Sequence, residues 1–124
     1  MTEIKQVKCR SIKDFKSIVY ICSPYAGDTE RNIKNAVRYC RFAVDGGYIP
    51  FAPHLLFPQF LDDGNADERA LGMYFGTLMM NYCEELWVFG ENISAGMSAE
   101  ISEAYRSGMA VRYFTESCEE DDGA

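Results

Sequence analysis

Residues 91–101 read ENISAGMSAEI and follow the apolar run EELWVFG. Within them Ser94, Gly96, Ser98 and Glu100 fall at every second position. Small residues at the exit of an apolar run suit a turn into a helix, whose first amides have no partner inside the helix. Ser94, Gly96, Met97 and Ser98 would there offer hydroxyls and free N–H groups to a polar ligand. Glu100 adds a carboxylate in what is expected to be the first helical turn. It is either a reacting group or a favourable charge at the positive end of the helix macrodipole. A capping box would place Ser or Thr three residues before it, and that position is Met97. Both readings stay open on these residues alone.

A second candidate is CSPYAGD, residues 22–28. Gly27 and Ala26 let backbone N–H groups of the loop that opens with Ser23, Pro24 and Tyr25 (Pro24 itself having none) come close to a ligand ahead of a helix, an arrangement that favours an anion. A tight turn between strand and helix needs the same residues. Neither G-K-[ST] nor GxGxxG occurs here, so the loop is not one of those phosphate-binding motifs. His54, in APHLLFP, is either a ligand contact at the rim of a sheet or an incidental loop residue. Phe51, Phe57 and Phe60 around it could stack on a base or face a partner.

The elements that position these groups are legible as alternating patterns. Residues 17–22 (SIVYIC) form a β-branched and aromatic run closed by Ser-Pro, as in a buried strand. Asp28 is placed to cap a helix whose apolar stripe is Ile33, Ala36, Val37, Cys40, Ala43 and Val44, ending at Gly46-Gly47. A short strand over 48–52 carries Pro50, which suits an edge. A helix over 67–82 is expected to present Leu71, Tyr74, Phe75, Leu78 and Tyr82 on one face. The run 85–89 (ELWVF) reads as the central strand, with Trp87 and Phe89 in the core. A helix over 97–107 should bury Met97, Ile101, Ala104 and Tyr105, and 110–114 forms the last strand.

The order β-α-β-α-β-α-β predicts an α/β fold: a three-layer, four-stranded parallel sheet of Rossmann/flavodoxin-like type, with strand order 2-1-3-4. In such sheets ligands bind beyond the carboxyl ends of the strands where the order reverses. That crevice lies between the loop after the first strand and the loop after the third. The two glycine- and serine-rich stretches should therefore face each other.

With 124 residues, 48% apolar and 25% charged, the chain fits one globular domain. We expect an N-terminal extension over 1–16, a domain over 17–114 and an acidic tail over 115–124, with both ends solvated. Nothing approaches the ~18 apolar residues of a membrane span, and the charged N-terminus lacks a secretory h-region. A net charge of −7 argues against nucleic acid as the partner. The five cysteines lack CxxC spacing, and a single histidine leaves no multi-His site. A cytoplasmic protein without metal or cofactor is expected.

From 17 to 114 the chain resembles the nucleoside 2-deoxyribosyltransferase-like superfamily. The pattern S-x-G-x-S-x-E at Ser94, Gly96, Ser98 and Glu100 is similar to the corresponding loop of 2′-deoxynucleoside 5′-monophosphate N-hydrolases. YICSPYAGD stands where that family has an aromatic-led strand and a glycine-bearing loop, and E-I-x-x-A matches its helix. The string including APHLLFPQF also resembles a branch of small bacterial and phage proteins without clear assigned activity.

The resemblance implies that Glu100 attacks C1′ of a deoxyribosyl group, giving a glycosyl-enzyme ester resolved by water or by another base. It implies that Tyr20 orients Glu100 or the sugar. The amides of Ser23 to Gly27 and the hydroxyls of Ser94 and Ser98 would hold the 5′ end. Neutral Ser94 favours nucleotides over nucleosides. A homodimer is implied as well. One departure stands out: the family's leaving-group acid should fall near Thr77, where FGTLMMNY has no carboxylate. Asp62, Asp63, Asp67, Glu91 or His54 would have to replace it. Alternatives are a non-catalytic nucleotide-binding protein on the same cleft, a protein-interaction module, and a NAD-cleaving enzyme of similar topology.

Overall fold

The computed structural model describes residues 11–15 and 17–121. Most of the basic N-terminal extension, and the last three residues of the tail, lie outside the described residues. β1 (Ile18–Cys22), β2 (Ile49–Phe51), β3 (Glu85–Phe89) and β4 (Ala110–Phe114) alternate with α1 (Thr29–Asp45), α3 (Ala66–Met80) and α4 (Ala95–Arg106). A short α2 (Pro53–Leu56) follows β2, and β5 (Glu120–Asp121) closes the described chain. The sheet runs β2-β1-β3-β4-β5, parallel through the first four strands and antiparallel at β5. The expected α/β fold and 2-1-3-4 order are therefore present, with Pro50 on the edge strand β2.

β5 was not expected. Cys118, at φ +62°, turns the chain back after β4, and the Thr115 amide donates to the Glu119 carbonyl. Arg112 on β4 then pairs with Glu120 at 2.7 Å and Glu85 at 3.3 Å while lying over the Trp87 ring. Part of the acidic tail thus docks on a cation that its own composition does not reveal.

Period-two alternation divides the core between the sheet faces. Tyr20, Cys22, Leu86 and Val88 pack with Met80, Met97 and Ala104 from α3 and α4. Val19, Ile21, Trp87, Phe89 and Phe114 pack with Tyr39 and Ala43 from α1. Asp28 caps α1 through the Arg31 amide, as expected.

The helix faces depart from the expected stripes. On α1, Tyr39 turns inward and stacks on Phe89 at 4.1 Å, while Ile33 and Val37 are exposed. On α3 the buried residues are Gly76 and Met80, while Leu71, Tyr74 and Leu78 face outward and Tyr82 lies exposed in the turn beyond the helix end. α3 is apolar around most of its circumference, so its sequence does not specify a unique inner face. On α4 Tyr105 is exposed, its hydroxyl 3.0 Å from that of Tyr113.

Candidate functional site

β1 and β3 are neighbours at the point where strand order reverses, and their carboxyl ends carry the two loops singled out above. A cleft of about 170 Å³ opens there. Its walls include Tyr20 from β1, Tyr25 and Ala26 from the β1–α1 loop, and Ser94, Ala95, Gly96 and Glu100 from the β3–α4 corner. Pro53, His54 and Phe57 close a third side. Asp63, Glu68, Arg69, Gly72 and Met73 close the fourth.

Ser94 is the N-cap of α4, its Oγ accepting from the Met97 amide at 3.2 Å. Helix α4 therefore starts earlier than expected, and Glu100 is its sixth residue, beyond the first turn. The macrodipole acts mainly within that first turn, so it gives little help to the ionised carboxylate. Side chains supply what the helix does not. The Tyr20 hydroxyl donates to Glu100 Oε2. The Cys22 thiol donates to Oε1 at 3.4 Å.

Burial raises the pKa of Glu100, and the hydrogen bonds from Tyr20 and Cys22 partly counteract it. Burial, reinforced by the neighbouring Glu100 charge, holds both the Tyr20 phenol and the Cys22 thiol well above their ordinary values. They remain proton donors through the neutral range.

Gly76 on α3 permits this arrangement. A Cβ there would stand 2.9 Å from the Tyr20 hydroxyl. Phe51 meets the Tyr20 ring edge-on at 5.6 Å and so fixes its plane. Across the cleft His54 stacks on Tyr25, with centroids 5.0 Å apart and planes 20° apart. Burial lowers the pKa of His54, against the opposing pull of Asp63.

Of the residues expected at the site, Tyr20, Tyr25, His54, Ser94, Gly96 and Glu100 line the cleft. Ser23 and Met97 are buried beneath it, Pro24 faces a separate groove, and Gly27 and Ser98 are exposed outside its lining. Gly27 has φ +97°, so its role here is to turn the loop. Of the possible replacement acids, Asp63 and His54 reach the cleft, while Glu91 lines the separate groove. Thr77 is exposed and donates to the Met73 carbonyl.

Cys22, Gly76, Glu68 and Arg69 were missed. Cys22 had a legible clue, since two residues after Tyr20 on a strand is the same face. The described residues contain no cluster of three or more His, Cys, Asp or Glu placed to hold a metal ion.

Fold and cleft together define an α/β domain with a mostly parallel sheet and a partly buried carboxylate at the carboxyl ends of its parallel strands. The chain belongs to the family described as "Domain of unknown function (DUF7768)", whose model matches residues 17–114. It is similar in structure to a 2-deoxyribosyltransferase from the psychrotolerant bacterium Bacillus psychrosaccharolyticus, with a TM-score of 0.62 and 18% identity over 80% of this chain and 72% of that one. At that identity the likeness is one of fold. No curated protein matches the chain. Among the described residues no helix is long and apolar enough to cross a membrane.

Proposed function

We propose that the cleft binds a 2′-deoxynucleotide or 2′-deoxynucleoside and that Glu100 cleaves or transfers its N-glycosidic bond. The observation that carries this reading is a carboxylate held by Tyr20 and Cys22 at the wall of a cleft formed by the two converging loops. One Glu100 oxygen bonds to C1′ as the C1′–N bond breaks, and the bonding pair leaves with the base. The base takes a proton from an acid in the cleft, for which Asp63 and Glu68 are the available carboxyl groups. Water then attacks C1′, loses its proton to the same group and frees Glu100; a second base in place of water gives transfer. The stacked Tyr25–His54 pair and Phe57 offer apolar surface to the base, and Ser94 with Gly96 offers polar contacts to the sugar.

The test is release of free base from a panel of deoxynucleosides and their 5′-monophosphates. Wild type should turn over at least one substrate, and Glu100→Gln should reduce the rate at least about 10³-fold. No free base from any substrate, or equal rates, overturns the reading.

A second reading is a cytoplasmic nucleotide-binding protein without turnover. It is favoured by the lack of any carboxylate on α3 from Gly72 to Thr77. It predicts a higher melting temperature with nucleotide and an intact ligand afterwards.

The cleft is smaller than the ~300–1,000 Å³ typical of ligand pockets, and α3 exposes Met73, Tyr74, Leu78 and Met79. Both support a homodimer in which a second copy covers α3 and deepens the cleft.

A further inference from the structure

We propose that Cys22 is a positioning residue for Glu100, its thiol holding one carboxylate oxygen while Tyr20 holds the other. This rests on the reading of Glu100 as the reacting group, but its geometry stands independently. Cys22 is fully buried on the same face of β1 as Tyr20. Its sulfur lies 3.4 Å from Glu100 Oε1 and 3.9 Å from the Met97 carbonyl oxygen. A thiol has one proton to donate, and the shorter contact gives it to Glu100. Two donors on separate oxygens fix the carboxylate plane against rotation about the last side-chain bond. Each oxygen keeps a further lone pair for a ligand.

An apolar residue would pack equally well at this depth in the strand, so burial alone does not account for a donor here. The other titratable or charged groups on the cleft walls, besides Tyr20, are Tyr25, His54, Asp63, Glu68 and Arg69. None has a hydrogen bond or ion pair to Glu100 among the described contacts. Removing the thiol therefore removes one of the two donors that favour ionised Glu100.

The experiment is carboxyl-carbon NMR titration of protein labelled at glutamate, with the Glu100 signal assigned by its loss in Glu100→Gln. In Cys22→Ala the titration midpoint should move upward, and in Cys22→Ser it should return towards or below that of wild type. Where wild type releases base, Cys22→Ala should lower kcat about three- to tenfold with the acid limb of its pH profile displaced upward, and Cys22→Ser should recover most of the rate. An unmoved midpoint in Cys22→Ala, or equal midpoints in the Ala and Ser variants, overturns the proposal. Should Cys22→Ala fail to fold, Cys22→Val fills the volume without a donor and is read in the same way. A wild type that releases no base defeats the glycosidic reading, while the titration still decides the role of Cys22.

Discussion

Glu100 is subject to two opposing influences: burial favours its neutral form, and the donors Tyr20 and Cys22 favour the ionised one. The net direction is upward from the ordinary 4.5, which fixes the sign of two pH effects. Attack on C1′ needs the ionised form, so turnover should fall on acidification through a midpoint above the usual glutamate range. A pH–rate profile of wild type checks this, and an acid limb at or below 4.5 contradicts it. Stability runs the other way. A carboxyl whose folded pKa is raised binds its proton more tightly in the native state. Its favourable contribution is complete below the unfolded value and is lost as pH rises through the folded one. Glu100→Gln should therefore raise the melting temperature at neutral pH, with the gain shrinking towards pH 4.5. Buried carboxylates kept for chemistry commonly show such a trade of stability for function. The alternating serines and Glu100 were legible in the sequence. Their chemical setting was not, because both donors to Glu100 come from β1, roughly eighty residues away in the chain.

Between elements, a close constraint is the approach of α3 to β1 at Gly76. Alanine is favoured over glycine in a helix interior by about 1 kcal/mol. Here its methyl would stand 2.9 Å from the hydroxyl of Tyr20, whose ring is buried and held by Phe51. Gly76→Ala should therefore destabilise the protein by about 1–2 kcal/mol in chemical denaturation and displace the Tyr20 hydroxyl from Glu100. In a Tyr20→Phe background the clash is relieved, and the same substitution should become neutral or stabilising. A double-mutant cycle measures that coupling, and additivity would show that α3 does not press on Tyr20. The existence, type and order of the elements were legible because apolar periodicity distinguishes helix from strand. The inner faces of α1 and α3 were not. Tyr39 and Gly76 are buried by what stands opposite them, a ring in one case and a hydroxyl in the other.

At the scale of the whole molecule, two surfaces carry predictions. Arg112 joins β4, β3 and the returning tail through Glu85 and Glu120. These pairs are partly exposed, so Arg112→Gln should cost no more than about 1 kcal/mol of global stability. It should nonetheless speed hydrogen exchange at the Thr115 amide, which donates to Glu119 within the turn. Unchanged exchange would mean that backbone pairing alone holds β5. The exposed face of α3 should be covered by a second copy. Sedimentation equilibrium should then give about twice the 14.0 kDa of one chain, and Leu78→Glu should halve that mass. A monomeric wild type would leave the cleft as open as one chain makes it.

The amino-acid sequence by itself determined the alternation of strands and helices, the parallel sheet order and the convergence of the two loops. These depend on local periodicity, turn chemistry and the handedness of crossovers, all of which are written along the chain. Only tertiary structure decided which groups touch Glu100, which face of α3 turns inward and where the acidic tail docks. Those outcomes depend on distances between residues far apart in sequence, and a short polar contact across a sheet leaves no periodic trace in either partner.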